Sequence, residues 1–209
     1  DRMEEELGHS STLVATGGMA QFITPLTKER AAVNALLPAV LLRGCETAPD
    51  LRAITLRLDD LYGAAVGAQV RRVGDWQTTG FYCSFTVDRF AMAGDRILQP
   101  LVQFLGELLL HPLTEDGGFN RSFVAGEKKN LIATMESELN DKRAYAMGQL
   151  LKILCSADTF GLHRLGEKED GPGITPQGLY RHYGSILRES PIEIFYVGSA
   201  PAETVKALL

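Results

Sequence analysis

Four histidines, at 9, 111, 163 and 182, and three cysteines, at 45, 83 and 155, are the residues best suited to metal or nucleophilic chemistry. His111 stands in HPLTE (111–115), where His and Glu fall four apart, a spacing that puts two ligands on one helix face. Pro112 follows it directly, so His111 reads as a helix-terminus residue meeting the helix dipole. HRLGE (163–167) lies in a glycine-broken stretch, and a metal there would need ligands from elsewhere. His182, beside Tyr183 on a helical pattern, reads as partly buried against a sheet. The cysteines are widely spaced in apolar surroundings and form no C-x-x-C pair, so they read as buried free thiols of a reducing compartment. Cys45 with a remote histidine is conceivable, but Gly44 and Glu46 beside it supply nothing that would activate a thiolate. GxSxG, GxGxxG and GxxxxGK[ST] are all absent, which removes the nucleophile elbow and the phosphate cradles. The acidic pairs Asp59–Asp60 and Glu136/Glu138 read as helix surface. Taken by themselves, these residues form no reactive constellation.

Composition narrows the class further. The 209 residues are 45% hydrophobic with a net charge of −5, enough for one well-buried globular domain and without the basic surplus of a nucleic-acid binder. The densest charge run, EKKNLIATMESELNDKR (127–143), mixes both signs, as a solvated helix face does. The longest apolar stretch, ILQPLVQFLGELLL (97–110), is broken by Gln, Pro, Gly and Glu and is too short to cross a bilayer. DRMEEELGH at the start is acidic and unlike a signal peptide, and the chain opens without Met and stops in KALL. The expectation is one domain over 1–209, a piece cut from a longer protein.

The elements that would position these residues follow from periodicity and punctuation. STLVATGGMAQFIT (11–24) reads as two strands around a tight reversal at Gly17–Gly18. Thr27 offers an N-cap for a helix to about Arg43, kinked where Pro38 removes the amide that would bond Asn34. Asp50 caps a second helix with Leu51, Ile54, Leu58 and Leu61 on one face. Alternation about Gly74–Asp75 predicts a hairpin across 64–90. A helix over 95–110 follows. Residues 120–155 form a long helical region broken near Asn140–Asp141, its first stripe Val124, Leu131 and Met135, its second Leu139, Ala146, Leu150 and Leu154. Residues 157–174 are loop, Thr175–Pro176 starts a helix, IEIFYVG (192–198) is a buried strand, and a last helix opens after Pro201. Helices in runs between paired strands argue for an α+β domain, with a mixed or antiparallel sheet and helices packed on one face.

Four segments, in order, carry a resemblance. LLPAVLLRGCETAPDLRAITLRLDDLYGAAV, GEKKNLIATMESELNDKRAYA, FGLHRLGE and ITPQGLYRHYGSILRESPIEIFYVG resemble the pitrilysin/insulinase-type zinc peptidases, which include the mitochondrial processing peptidases. The likeness is to the non-catalytic bacterial branch of that family and covers about Ser11 to Leu209. It implies a LuxS/processing-peptidase-like metallohydrolase fold and a bacterial cytoplasmic protein, of which this chain is the N-terminal domain followed by a second of similar fold.

Active members carry His-x-x-Glu-His a few residues before a Lys/Arg-Gly pair. Aligning that pair with Arg43–Gly44 puts Ala35 and Ala39 where the zinc-binding histidines would be and Pro38 where the general base would be. The third ligand, a glutamate of the long helix, falls at Thr134. A catalytic zinc needs about three protein ligands with lone pairs and leaves one position for water. Alanine offers no lone pair and proline no carboxylate to take a proton from water. No metal site and no zinc cofactor are therefore expected. The resemblance further implies that an extended peptide could add as a strand along a sheet edge, aligned with Gly67, Ala68, Gln69 and Val70. The expected role is a structural or peptide-cradling subunit beside an active peptidase-like paralogue. The alternatives are a metalloendopeptidase whose ligands come from outside this segment or from a partner, and a lone peptide-binding module.

Overall fold

A computed structural model describes residues 12–14 and 18–209. Its five-stranded sheet has the order β1-β7-β2-β4-β3. The strands are β1 (Thr12–Val14), β2 (Gly18–Pro25), β3 (Ala65–Val73), β4 (Trp76–Ser84) and β7 (Ile192–Phe195). β2, β4 and β3 are antiparallel neighbours, and Gly74–Asp75 joins β3 to β4 as the alternation predicts. β1 corrects the expected reversal onto β2: it runs parallel to β7, which lies between them, with Thr12 opposite Glu193 and Val14 opposite Phe195. Gly17 itself lies outside the described residues. A small hairpin unforeseen in the sequence, β5 (Thr114–Glu115) with β6 (Gly118–Phe119), follows Pro112.

Helices cover one face of the sheet. α1 (Lys28–Leu41) lies against it and buries nine of its 14 residues. This explains the uncharged run NALLPAVLL, because a helix apolar on all sides belongs in the interior. Leu36, Leu37, Val40 and Leu41 meet Phe22 and Phe81 of the sheet and Leu179, Tyr183 and Ile186 of α6 (Pro176–Glu189) in the main core. On β4, Gln77, Thr79 and Phe81 are buried, while Tyr82 and Ser84 point to the other face and are exposed. Antiparallel sheets tolerate this one-sided solvation.

Helix boundaries follow local chemistry. Asp50 caps α2 (Leu51–Asp60) through the Ala53 amide at 2.8 Å. Leu51 is nevertheless exposed, and Ile54 alone of that helix is buried. α3 (Leu98–Leu110) begins three residues later than expected, its first amides held by Asp88 Oδ1 at 2.9 and 3.0 Å. At its far end the Tyr183 hydroxyl donates to the Leu109 carbonyl at 2.7 Å, satisfying a group the helix leaves free. Arg57 of α2 grips Glu107 of α3 with two hydrogen bonds, at 2.7 and 3.0 Å.

The long helical region is α4 (Arg121–Ser137) and α5 (Lys142–Leu154), separated by a 3-10 turn over Glu138–Asn140. Asp141 caps α5 through the amides of Arg143 and Ala144. The expected second stripe is a correction: Leu139, Leu150 and Leu154 are exposed, and α5 buries no residue. After α6, α7 (Ala202–Lys206) returns Val205 to the core. The cysteines are free, with Cys45 buried and Cys83 and Cys155 partly exposed, a partial correction to the expectation of three buried thiols.

Candidate functional site

α1 positions the residues aligned with a metal motif. Ala35 is 5% exposed, Pro38 is buried and Ala39 is partly exposed. The Pro38 ring closes a narrow apolar crevice with Phe22, Leu41, Gly80, Phe81 and Leu109. Beside it the Thr79 hydroxyl is buried without a hydrogen-bond partner among the described residues. Thr134 lies on α4, which packs against α1, but it is exposed and its hydroxyl donates back to the Asn130 carbonyl at 2.9 Å. Zinc does not fit this set, because three of the four side chains carry no donor atom and the fourth is engaged within its own helix. Among the described residues no three or more His, Cys, Asp or Glu side chains are grouped to hold a metal ion.

The Arg43–Gly44 pair that anchors the alignment is built into the packing. Arg43 reaches Glu127 of α4 at 3.3 Å, and a Cβ on Gly44 would come within 2.7 Å of the Pro49 carbonyl.

One turn before Pro38 the sequence reading missed a buried polar network. Asn34, fully buried, donates to Thr24 Oγ1 at 2.9 Å and to Gln77 Oε1 at 2.8 Å. His182 of α6 meets its remaining oxygen at 2.6 Å. Gln77 in turn donates to the Ala31 carbonyl at 3.0 Å and to the Arg164 carbonyl. The signal was present as a lone Asn in an apolar helical run and a Gln at a core-facing strand position. Burial, reinforced by Arg30, lowers the His182 pKa against a smaller opposing effect of Glu189. This favours the neutral imidazole, whose Nε2–H donates to Asn34.

β3 forms one edge of the sheet. Gly67, Ala68, Gln69 and Val70 pair on one side with Tyr82, Phe81, Gly80 and Thr79 and have no strand on the other among the described residues. The Tyr82 ring lies over Gly67, in the space a Cβ there would need. Near the far end of β3, a groove of about 750 Å³ opens between α4, α5 and residues 160–169. Arg72, Met135, Glu138, Tyr145 and His163 line it, whereas Ala35, Pro38, Ala39 and Thr134 do not. Arg72 holds one wall, donating to the carbonyls of Phe160 and Leu162 at 2.8 and 3.0 Å with its guanidinium over the Phe160 ring. His163 meets Glu138 at 3.1 Å and accepts from the Leu165 amide; burial lowers its pKa, Arg164 adding to the effect and Glu138 opposing it. His111 is the C-cap of α3, as its position before Pro112 predicts. Burial pushes the Cys83 thiol up to about 11, which leaves it protonated at neutral pH and a poor nucleophile.

No family model matches the chain. It is 30% identical over 189 residues to a "Probable inactive metalloprotease YmfF" of Bacillus subtilis (strain 168), a match taking in 90% of this chain and 44% of the relative. Its fold is that of a conserved protein from Enterococcus faecalis V583, with a TM-score of 0.84 and 24% identity over 94% of this chain and 48% of that one. A peptidase M16 inactive domain from Pseudomonas fluorescens follows at a TM-score of 0.65 and 18% identity, over 95% of this chain and 48% of the other. The chain thus spans about half the length of the relatives it matches. No helix among the described residues is long and apolar enough to cross a membrane.

Proposed function

We propose that the chain is a member of the inactive branch of the pitrilysin/insulinase-type (M16) metallopeptidase family, as its likeness to the relatives above supports, and that it is a catalytically inactive subunit beside an active peptidase-like paralogue. In this role it forms the N-terminal half of a two-domain protein and cradles extended peptides along β3. The observation that carries the reading is the contrast between its two halves of a peptidase site. The positions of the metal and base hold Ala35, Pro38 and Ala39, which can neither coordinate an ion nor take a proton. The edge over Gly67–Val70 has no strand on its outer side among the described residues, and strand addition depends little on side-chain identity. Three free thiols suit a reducing bacterial cytoplasm.

The test uses the full-length protein, purified from its own cell at native expression and assayed alone and with whatever co-purifies. We expect a second peptidase-like chain in the complex, no stoichiometric zinc on this subunit after dialysis, and cleavage by the partner only. Amides of Gly67–Val70 should exchange more slowly when an extended peptide is added. Stoichiometric zinc with chelator-sensitive cleavage by this subunit alone would overturn the reading in favour of a metalloendopeptidase with ligands from outside the segment. Peptide protection without any partner would leave a lone binding module.

A further inference from the structure

α5 stands apart from the rest of the described helices. It is 13 residues long, buries none of them, and packs on the short 3-10 turns at 138–140 and 159–161 that flank it. A helix of that length is marginal in water unless a face is packed. Its inner side, with Tyr145, Gly148 and Leu151, borders the groove. Its outer side carries Met147, Leu150, Ile153 and Leu154, which are 55%, 48%, 72% and 71% exposed. These fall at i, i+3, i+6 and i+7, the pattern of a face made for burial. Such a contiguous apolar patch marks an interaction surface.

The charges say what kind of surface meets it. Residues 142–154 contain no acidic side chain, and Lys142 and Arg143 sit exposed in the first turn. Cations at the positive end of the helix dipole work against the helix itself. Lys152, by contrast, is matched by Glu167 at 2.7 Å. Among the described residues no carboxylate pairs with the cations of the first turn.

We propose that the outer face of α5 is the seat of the second half of this protein, which docks through an apolar centre rimmed by acidic side chains that meet Lys142 and Arg143. The occupant follows from length: the relatives and solved neighbours carry about as much chain again beyond the part matched here. This rests on the reading of a two-domain protein given above.

The experiment is site-resolved maleimide labelling of the full-length protein without its paralogue, comparing Leu150→Cys and Ile153→Cys with Asp59→Cys on the exposed face of α2. Docking predicts labelling at 150 and 153 about tenfold or more slower than at 59, independent of protein concentration. The double change Lys142→Glu and Arg143→Glu should restore fast labelling, although it improves the helix's own N-terminus, so a merely structural role predicts the opposite. Equal rates at all three positions would overturn the proposal. So would protection that grows with protein concentration, which signals a second copy. Because the paralogue is left out, failure here leaves the proposed subunit role standing.

Discussion

Ala35, Pro38 and Ala39 differ from a metal-binding set in kind, since no rotamer of alanine or proline presents a lone pair. The surroundings of Ala35 and Pro38 are closed and apolar. Ala35 is nearly inaccessible and the Pro38 ring fills an apolar crevice, so a larger side chain has no room. Ala35→His is expected to lower the unfolding free energy by about 1–3 kcal/mol through overpacking, measured by urea denaturation. His163 and His182 serve the fold through their contacts with Glu138 and Asn34. Burial lowers the pKa of both His163 and His182 below the ordinary 6.5. As pH falls past that value, the unfolded chain takes up protons that the folded protein still refuses, so stability decreases with falling pH. The thermal midpoint should therefore drop between about pH 7 and about pH 5, and His182→Gln should make the drop smaller. An unchanged slope in that variant would assign the effect elsewhere.

Among the elements, the break between α4 and α5 was legible because Asn140 and Asp141 compete with the helical backbone for hydrogen bonds. Asp141 realises this as a cap on two amides, at 3.1 and 3.0 Å. Asp141→Ala should cost α5 about 1 kcal/mol. Because α5 buries nothing within residues 1–209, the loss in that segment alone is expected as faster amide exchange confined to 142–154, with the global melting point almost unmoved. A large fall in melting point would show that α5 is part of the cooperative core. The same helix exposes the limit of pattern reading. Leu139, Leu150 and Leu154 have helical spacing, and spacing establishes that a face exists without saying whether this chain covers it.

At the scale of the whole molecule, Asn34 of α1 ties three further elements together. Its amide joins β2 through Thr24, β4 through Gln77 and α6 through His182, and Gln77 extends the network to the loop at Arg164. Asn34→Ala leaves several buried polar groups unpaired and should cost about 3 kcal/mol of global stability, read by calorimetry or denaturant unfolding. A cost below about 1 kcal/mol would mean that the network relaxes onto other partners. The sequence alone determined what depends on residue identity and on near neighbours. Helix starts at Asp50, Asp141 and Thr175, the turn at Gly74–Asp75 and the α+β class are of this kind. Only the tertiary structure decided that β7 separates β1 from β2, that Asn34 and Gln77 meet, and that α5 turns its apolar face outward. Each of these depends on groups tens to more than a hundred residues apart in the chain, and their pairing is set by the competition of all surfaces for burial at once, which no local window contains.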